Sequence, residues 1–266
     1  MRKKINPAFI FTVLALIVGV LVLNRPKFED HPVKTKQNPV QVETQALHNI
    51  NKPIIDVSGW QRPSEINYDT LTQNISGAIV RVHSGAQASV ENDASFKNGV
   101  DKAYKEHITE FQKRNIPVAV YAYVAGKNVE EMEKAAEAFY NAASPYNPSY
   151  YWLDVEAKTM SDMNQGVEAF RAKLASLGAK NIGIYVGVYF MEEHSISTEN
   201  FSAIWIPSYG TNSGYYESAP NTDLNYDLHQ YTSHGNLGGF EHHLDLNLIS
   251  SSKNKEETFR KLFLNP

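Results

Sequence analysis

The stretch Tyr150-Tyr151-Trp152-Leu153-Asp154-Val155-Glu156 is an aromatic and apolar run closed by two carboxylates one residue apart. Side chains of a β-strand alternate between its faces, so Asp154 and Glu156 share one side while Leu153 and Val155 take the other. Two residues of rise set the acids roughly 6 to 7 Å apart at Cβ, a separation at which paired carboxyls carry out glycoside cleavage or other acid–base chemistry. Taken alone, the motif fits equally well a strand that runs out into water with its acids solvated.

Short apolar runs of the same kind recur on both sides of it. They predict strands over residues 54–57, 78–82, 118–123, 150–155, 182–186, 203–206, 228–231 and 244–247. Amphipathic spacing predicts helices over 95–114, 129–143, 164–177 and 255–263. Strands alternating with helices argue for a parallel α/β barrel, whose sites lie at the C-terminal ends of the strands. The last three strands have no long helix between them. The expected fold is therefore an irregular TIM-like (β/α) barrel whose second half is mostly strand and loop.

A chain of 266 residues, 42% hydrophobic and 11% aromatic, is enough for one large domain of this kind. Its surplus of Tyr and Trp suits a groove that stacks on sugar rings or other flat ligands. There is no cysteine, which excludes disulfides, thiolate metal sites and a cysteine nucleophile. Arg2, Lys3 and Lys4 are the only charges in residues 1–24; setting them aside from the total of −4 leaves −7 on residues 25–266. A nucleic-acid partner calls for a basic face, so none is expected.

Behind the basic start, residues 8–23 form an apolar run interrupted only by Thr12 and Gly19. No Ala-x-Ala pattern follows it, so residues 1–24 read as an uncleaved signal anchor in preference to a cleaved signal peptide, with the basic end cytoplasmic. Either reading puts the rest of the chain outside the cytoplasm, anchored to the membrane or secreted. Residues 25–52, polar and carrying Pro26, Pro32 and Pro39, read as a flexible linker, and the catalytic barrel as 53–266.

Several expected strands end in polar groups. Asp56 closes the first, Arg81 and His83 the second, Tyr121 and Tyr123 the third, and Asp154 and Glu156 the fourth; Gln230, Asp245 and Asn247 come late. One such acid is ordinarily a cap or a solvated loop residue. Several at separate strand ends would converge on one barrel mouth. Four clustered acids could also hold Ca²⁺ or Mg²⁺, and His242-His243 invites zinc. Adjacent histidines on a strand face opposite ways, however, and neither a metal nor a cofactor is expected. No Gly-rich loop joins a strand to a helix and no Gly-x-Ser-x-Gly is present, so phosphate-loop and serine-ester chemistry fall away.

The motifs Asp56-Val57-Ser58 with Trp60, Ile79-Val80-Arg81, Asp93 with Phe96 and Asn98, Val120-Tyr121-Ala122-Tyr123 and Leu153-Asp154-Val155-Glu156 come in an order that carries further. Tyr185, Trp205-Ile206 with Tyr209-Gly210, Gln230-Tyr231-Thr232-Ser233 with Gly235 and Gly238, and Asp245-Leu246-Asn247 follow them. Over residues 53–248 the chain resembles the glycoside hydrolase family 25 muramidases, the Chalaropsis-type lysozymes. The resemblance implies hydrolysis of peptidoglycan glycan strands at the β-1,4 bond between N-acetylmuramic acid and N-acetylglucosamine; a monomer is expected. It implies Glu156 as proton donor, with Asp154, Asp56 and Asp245 as the acidic cluster around it. Tyr121, Tyr123, Arg81, Trp205, Tyr209 and Gln230 would then line the substrate site; the aromatic ones could equally be core. Crowded carboxylates raise one another's pKa, as a proton donor at neutral pH requires, and their charge suits an oxocarbenium-like transition state. Asp154 could be a nucleophile, orient the sugar's acetamido group or position water. Pro207 and His83 depart from the family pattern. The rival readings are a barrel that binds wall glycan without cutting it, and a structural role as the external part of an anchored complex.

Overall fold

The computed structural model describes residues 38–85 and 91–264. The expected membrane segment, residues 1–24, and the first part of the linker lie outside them. Among the described residues no helix is long and apolar enough to cross a membrane.

Eight strands close into a barrel in sequence order: β1 Ile54–Val57, β2 Gly77–His83, β3 Val118–Tyr123, β4 Tyr151–Val155, β5 Ile182–Val186, β6 Ala203–Pro207, β7 Leu228–Gly235 and β8 Leu244–Ile249. Neighbours from β1 to β7 run parallel. The eighth departs from the parallel expectation, pairing antiparallel with both β7 and β1. Only residues 236–243 join β7 to β8, and a parallel crossover needs roughly a dozen residues or more. The chain has room only to turn back. No long helix separates β6 from β7 either, so the second half is strand and loop.

Period-two alternation sorts the strand side chains into two cores. Ile54, Ile79, Trp152, Tyr185, Trp205 and Leu228 fill the barrel. Ile55, Val80, Val120, Leu153 and Ile184 point out against Ile108, Phe111, Phe139 and Phe170 of the surrounding helices. Those helices are α3 Tyr104–Lys113, α4 Val129–Ala143 and α5 Met163–Leu177; the short α2 (Tyr68–Leu71) and α6 (Val188–Glu193) follow β1 and β5. Side-chain oxygens of Asn128 and Asp162 cap the first turns of α4 and α5, and Gly178 at φ 108° ends α5 in the left-handed region.

Three expectations shift. The helix expected over 95–114 begins only at Tyr104, because the Asn92 amide accepts from the N–H groups of Ala94 and Ser95 and holds this segment in a turn. The linker expected over 25–52 contains α1, Pro39–His48, with Asn38 as its cap and Pro39 in its first turn. Its Val42 and Ala46 are buried, and Ala46 packs on Ile54, Ile79 and Ala119 near the N-terminal ends of β1, β2 and β3. The C-terminal helix α7, Lys255–Phe259, gives way to a wider π-helical turn over Arg260–Leu264.

Packing inside the barrel leaves no slack at Gly183. A Cβ there would meet the Trp152 ring at 2.4 Å. Gly183→Ala is accordingly expected to cost ~1–3 kcal/mol as overpacking, visible as a lower urea midpoint.

Candidate active site

Residues facing inward at the C-terminal ends of the strands form one open cavity of about 310 Å³. The ten singled out from sequence all line it: Asp56, Arg81, Tyr121, Tyr123, Asp154, Glu156, Trp205, Tyr209, Gln230 and Asp245. Strand register explains the convergence. Asp56 lies directly opposite Asp245 across the antiparallel β1–β8 pair, Arg81 beside Tyr121, Tyr123 beside Asp154, and Asp154 beside Tyr185. Ser58, Trp60, Gln61 and Tyr185 complete the lining.

The wall opposite Asp154 is a hydrogen-bonded network. Trp205 Nε1 donates to Asn247 Oδ1 at 2.8 Å, and Asn247 Nδ2 donates to Asp56 Oδ2 at 2.8 Å. Gln230 Nε2 donates to the same oxygen at 2.9 Å, while Gln230 Oε1 accepts from Tyr185 at 2.8 Å and Tyr209 at 2.6 Å. Gln230 thus serves Asp56 and the tyrosines. Trp205 is buried and forms part of the core as well as the cavity.

Burial raises every carboxyl of the cluster. Asp56 is pushed up to about 6, the amides of Asn247 and Gln230 limiting the rise. Asp245, half-buried, goes to about 8 through desolvation and then the Asp56 charge beside it. The two share a hydrogen bond, so one proton suffices for the pair near neutrality. Asp154 rises well above the ordinary range through burial and then the charges of Glu156 and Asp56, with Arg81 opposing; its Oδ1 is buried with no protein partner. Glu156, just past the end of β4, is the only one of the four classed as exposed, and partial desolvation still raises its pKa.

His83 is buried outside this cavity, accepts from the Gly85 N–H, and is held down to about 4 by desolvation. His242 and His243 diverge, one toward Glu65 at 3.9 Å and the other toward Asn236 at 3.2 Å. Among the described residues no group of three or more His, Asp or Glu is placed to hold a metal. Asp101 is the residue that sequence reasoning passed over. It is fully buried and accepts from Arg81 Nε at 2.9 Å, and the Asn98-Gly99 turn that returns the chain to β2 was its one signal.

The profile of glycosyl hydrolases family 25 matches residues 55–240, a span that contains Asp56, Arg81, Asp154 and Glu156. The chain belongs to glycosyl hydrolase family 25. It is a glycoside hydrolase, and its barrel is 76% identical to GHIP, a glycosyl hydrolase 25 of Streptococcus pneumoniae described as a virulence factor participating in host cell invasion. That match covers 86% of this chain and 100% of the other, at a TM-score of 0.84. The catalytic domain of endolysin Ply40 from bacteriophage P40 of Listeria monocytogenes has the same fold at 21% identity and TM-score 0.67, covering 79% of this chain and 97% of that one. So does the bacterial lysozyme from Streptomyces coelicolor, at 16% identity and TM-score 0.60, covering 79% and 96%. No curated protein matches.

The acid cluster makes the stability of this family 25 barrel depend on pH. Raised carboxyls mean that the folded state keeps protons that the unfolded chain gives up above about pH 4. Folding is therefore progressively weakened as pH rises from about 4 through the folded values near 6 for Asp56 and 8 for Asp245. Thermal midpoints are expected to fall from pH 6.5 to pH 8.5, above the range in which the buried histidines titrate, and Asp245→Asn to flatten that fall. An unchanged slope in the variant would show that this pair is not its source.

Proposed function

We propose that the enzyme is a muramidase that hydrolyses the β-1,4 bond between N-acetylmuramic acid and N-acetylglucosamine in peptidoglycan, with Glu156 as general acid. The observation that carries the reading is the pairing of an accessible carboxyl of raised pKa, Glu156, with a half-buried one, Asp154, whose buried Oδ1 has no protein partner. Glu156 keeps its proton to higher pH than an ordinary glutamate and can give it to the glycosidic oxygen as the bond to the anomeric carbon breaks. Positive charge developing on the sugar ring is stabilised by the carboxylates below it. The free Oδ1 of Asp154 is available to a donor on the sugar at the cleavage point, and the 2-acetamido N–H is one such donor. Tyr121, Tyr123 and Tyr209 form the aromatic walls on which the glycan rests, and buried Trp205 backs them from the core. The lysozyme, endolysin and autolysin relatives favour the cell wall as the place of action. We place the barrel outside the cytoplasm, with residues 1–24 as its membrane anchor.

The test uses the chain from Asn38 onward on purified peptidoglycan, with mass spectrometry of the released fragments. Fragments ending in reducing N-acetylmuramic acid are expected. Reducing N-acetylglucosamine ends would move the cleavage to the other bond of the strand. Binding with no fragments from a folded barrel would establish the non-cutting alternative.

A further inference from the structure

Asp101 lies outside the catalytic quartet, at the end of the loop that returns the chain to β2, where its N–H donates to the Val82 carbonyl at 3.0 Å. It is fully buried, and its carboxylate accepts three donors. Gly59 N–H and Arg81 Nε reach Oδ2 at 2.8 and 2.9 Å, and the Ala103 N–H reaches Oδ1 at 2.8 Å. The planar guanidinium is fixed once Nε is held. Its Nη2 is then left buried with no protein partner, as is Oδ1 of Asp154, and the two residues line the same cavity. Buried polar atoms without partners are uncommon because each costs its full desolvation. Here one donor and one acceptor, both orphaned, belong to two residues of the same cavity wall.

We infer that Asp101 is a positioning residue for glycan cleavage: it locks Arg81 so that Nη2 stays free to donate to an acceptor oxygen of the bound sugar beside Asp154. The inference rests on the reading of this cavity as the cleavage site. Without Asp101, Arg81 loses its carboxylate partner and turns to the next one within reach, Asp154. That contact would occupy the donor meant for substrate and alter Asp154 at the same time.

Asp154 is faced by Asp56 and Asp245 from β1 and β8, Arg81 from β2, Tyr121 and Tyr123 from β3, Tyr185 from β5 and its own neighbour Glu156. Arg81 is the cation among them, and it lowers the pKa of Asp154. Two variants should therefore displace Asp154 in opposite directions. In Arg81→Met the counter-charge is gone and Asp154 titrates at higher pH; in Asp101→Asn the released Arg81 pairs with it and it titrates at lower pH. The measurement is a ¹³C NMR titration of the Asp154 carboxyl in the full chain, paired with chitotetraose binding, and neither readout needs turnover. On peptidoglycan Asp101→Asn is expected to lose about 10²-fold in kcat/KM, the scale of a misplaced binding group. Should Asp101→Asn fail to fold, Arg81→Lys replaces it, keeping the charge without the fork. Weaker chitotetraose binding, with Asp154 titrating nearer to wild type than in Arg81→Met, is then expected. Equal Asp154 titration in wild type, Arg81→Met and whichever of Asp101→Asn or Arg81→Lys is used, with unchanged chitotetraose binding, overturns the inference. An inactive wild type would instead overturn the muramidase reading, leaving the titrations and binding to decide this one.

Discussion

Glu156→Gln is expected to lower kcat on peptidoglycan by about 10³-fold or more, at the upper part of the range for loss of a general acid. Gln matches Glu in size and keeps a hydrogen-bond donor, but it has no acidic proton to deliver to the leaving oxygen. Because that transfer happens only in the transition state, kcat and kcat/KM should fall together while KM stays near wild type. The fold should not suffer, since Glu156 is exposed just beyond the end of β4. Its raised pKa already counts slightly against the folded state at neutral pH. The thermal midpoint is expected to hold or rise slightly. A second signature separates loss of the acid from general damage: the alkaline limb of the kcat profile, which reports deprotonation of the acid, should disappear. A loss under tenfold would mean that another carboxyl delivers the proton, and Asp245, raised to about 8, would be the next to replace.

Why Glu156 and its partners could be picked out from sequence is a matter of period. A strand that lines a barrel must alternate, so acids at i and i+2 after an apolar run announce both the strand and the side they face. The same alternation located Asp56, Arg81 and Tyr121, since each ends or follows a short apolar run, and Asp245, which alternates with Leu244 and Leu246. Alternation has no direction, however, and the reversal of β8 was invisible in it. The short 236–243 connection was the available clue. Pro39 lies in a polar stretch with three prolines and little apolar periodicity, the pattern of an extended linker, yet in a first turn proline favours the helix it begins. Asp101 escaped because its tie to Arg81 crosses twenty positions of irregular chain, with no periodic pattern to connect them. Asn247 and Tyr185 were visible as residues, but their service to Asp56 depends on barrel closure, which brings β8 beside β1 and Tyr185 within reach of Gln230.

Trp205→Ala should be the most damaging single change to the fold, at ~3–5 kcal/mol for truncating a buried tryptophan. For a chain of this size that corresponds to a drop in thermal midpoint of roughly 6 to 20 °C. Trp205 sits in the centre of the barrel with Tyr185, Trp152 and Tyr121 edge-on to it at ring-centroid distances of 4.6, 5.6 and 6.5 Å. Apolar area is only part of its role, because Nε1 is the donor that orients Asn247, and Asn247 in turn holds Asp56. Trp205→Phe separates the two contributions. It keeps most of the ring packing but leaves Asn247 Oδ1 buried without a donor, at about 1–3 kcal/mol. With its orientation unfixed, the Asn247 amide no longer reliably donates to Asp56, and a carboxylate that loses a donor has its pKa raised further. Asp56 should then titrate above its value of about 6 in the intact network, and the acidic limb of kcat/KM should move up in pH with it. If Trp205→Phe loses stability but leaves that limb in place, Trp205 is core alone, and the chain from indole to amide to carboxylate has no part in setting the charge of the site.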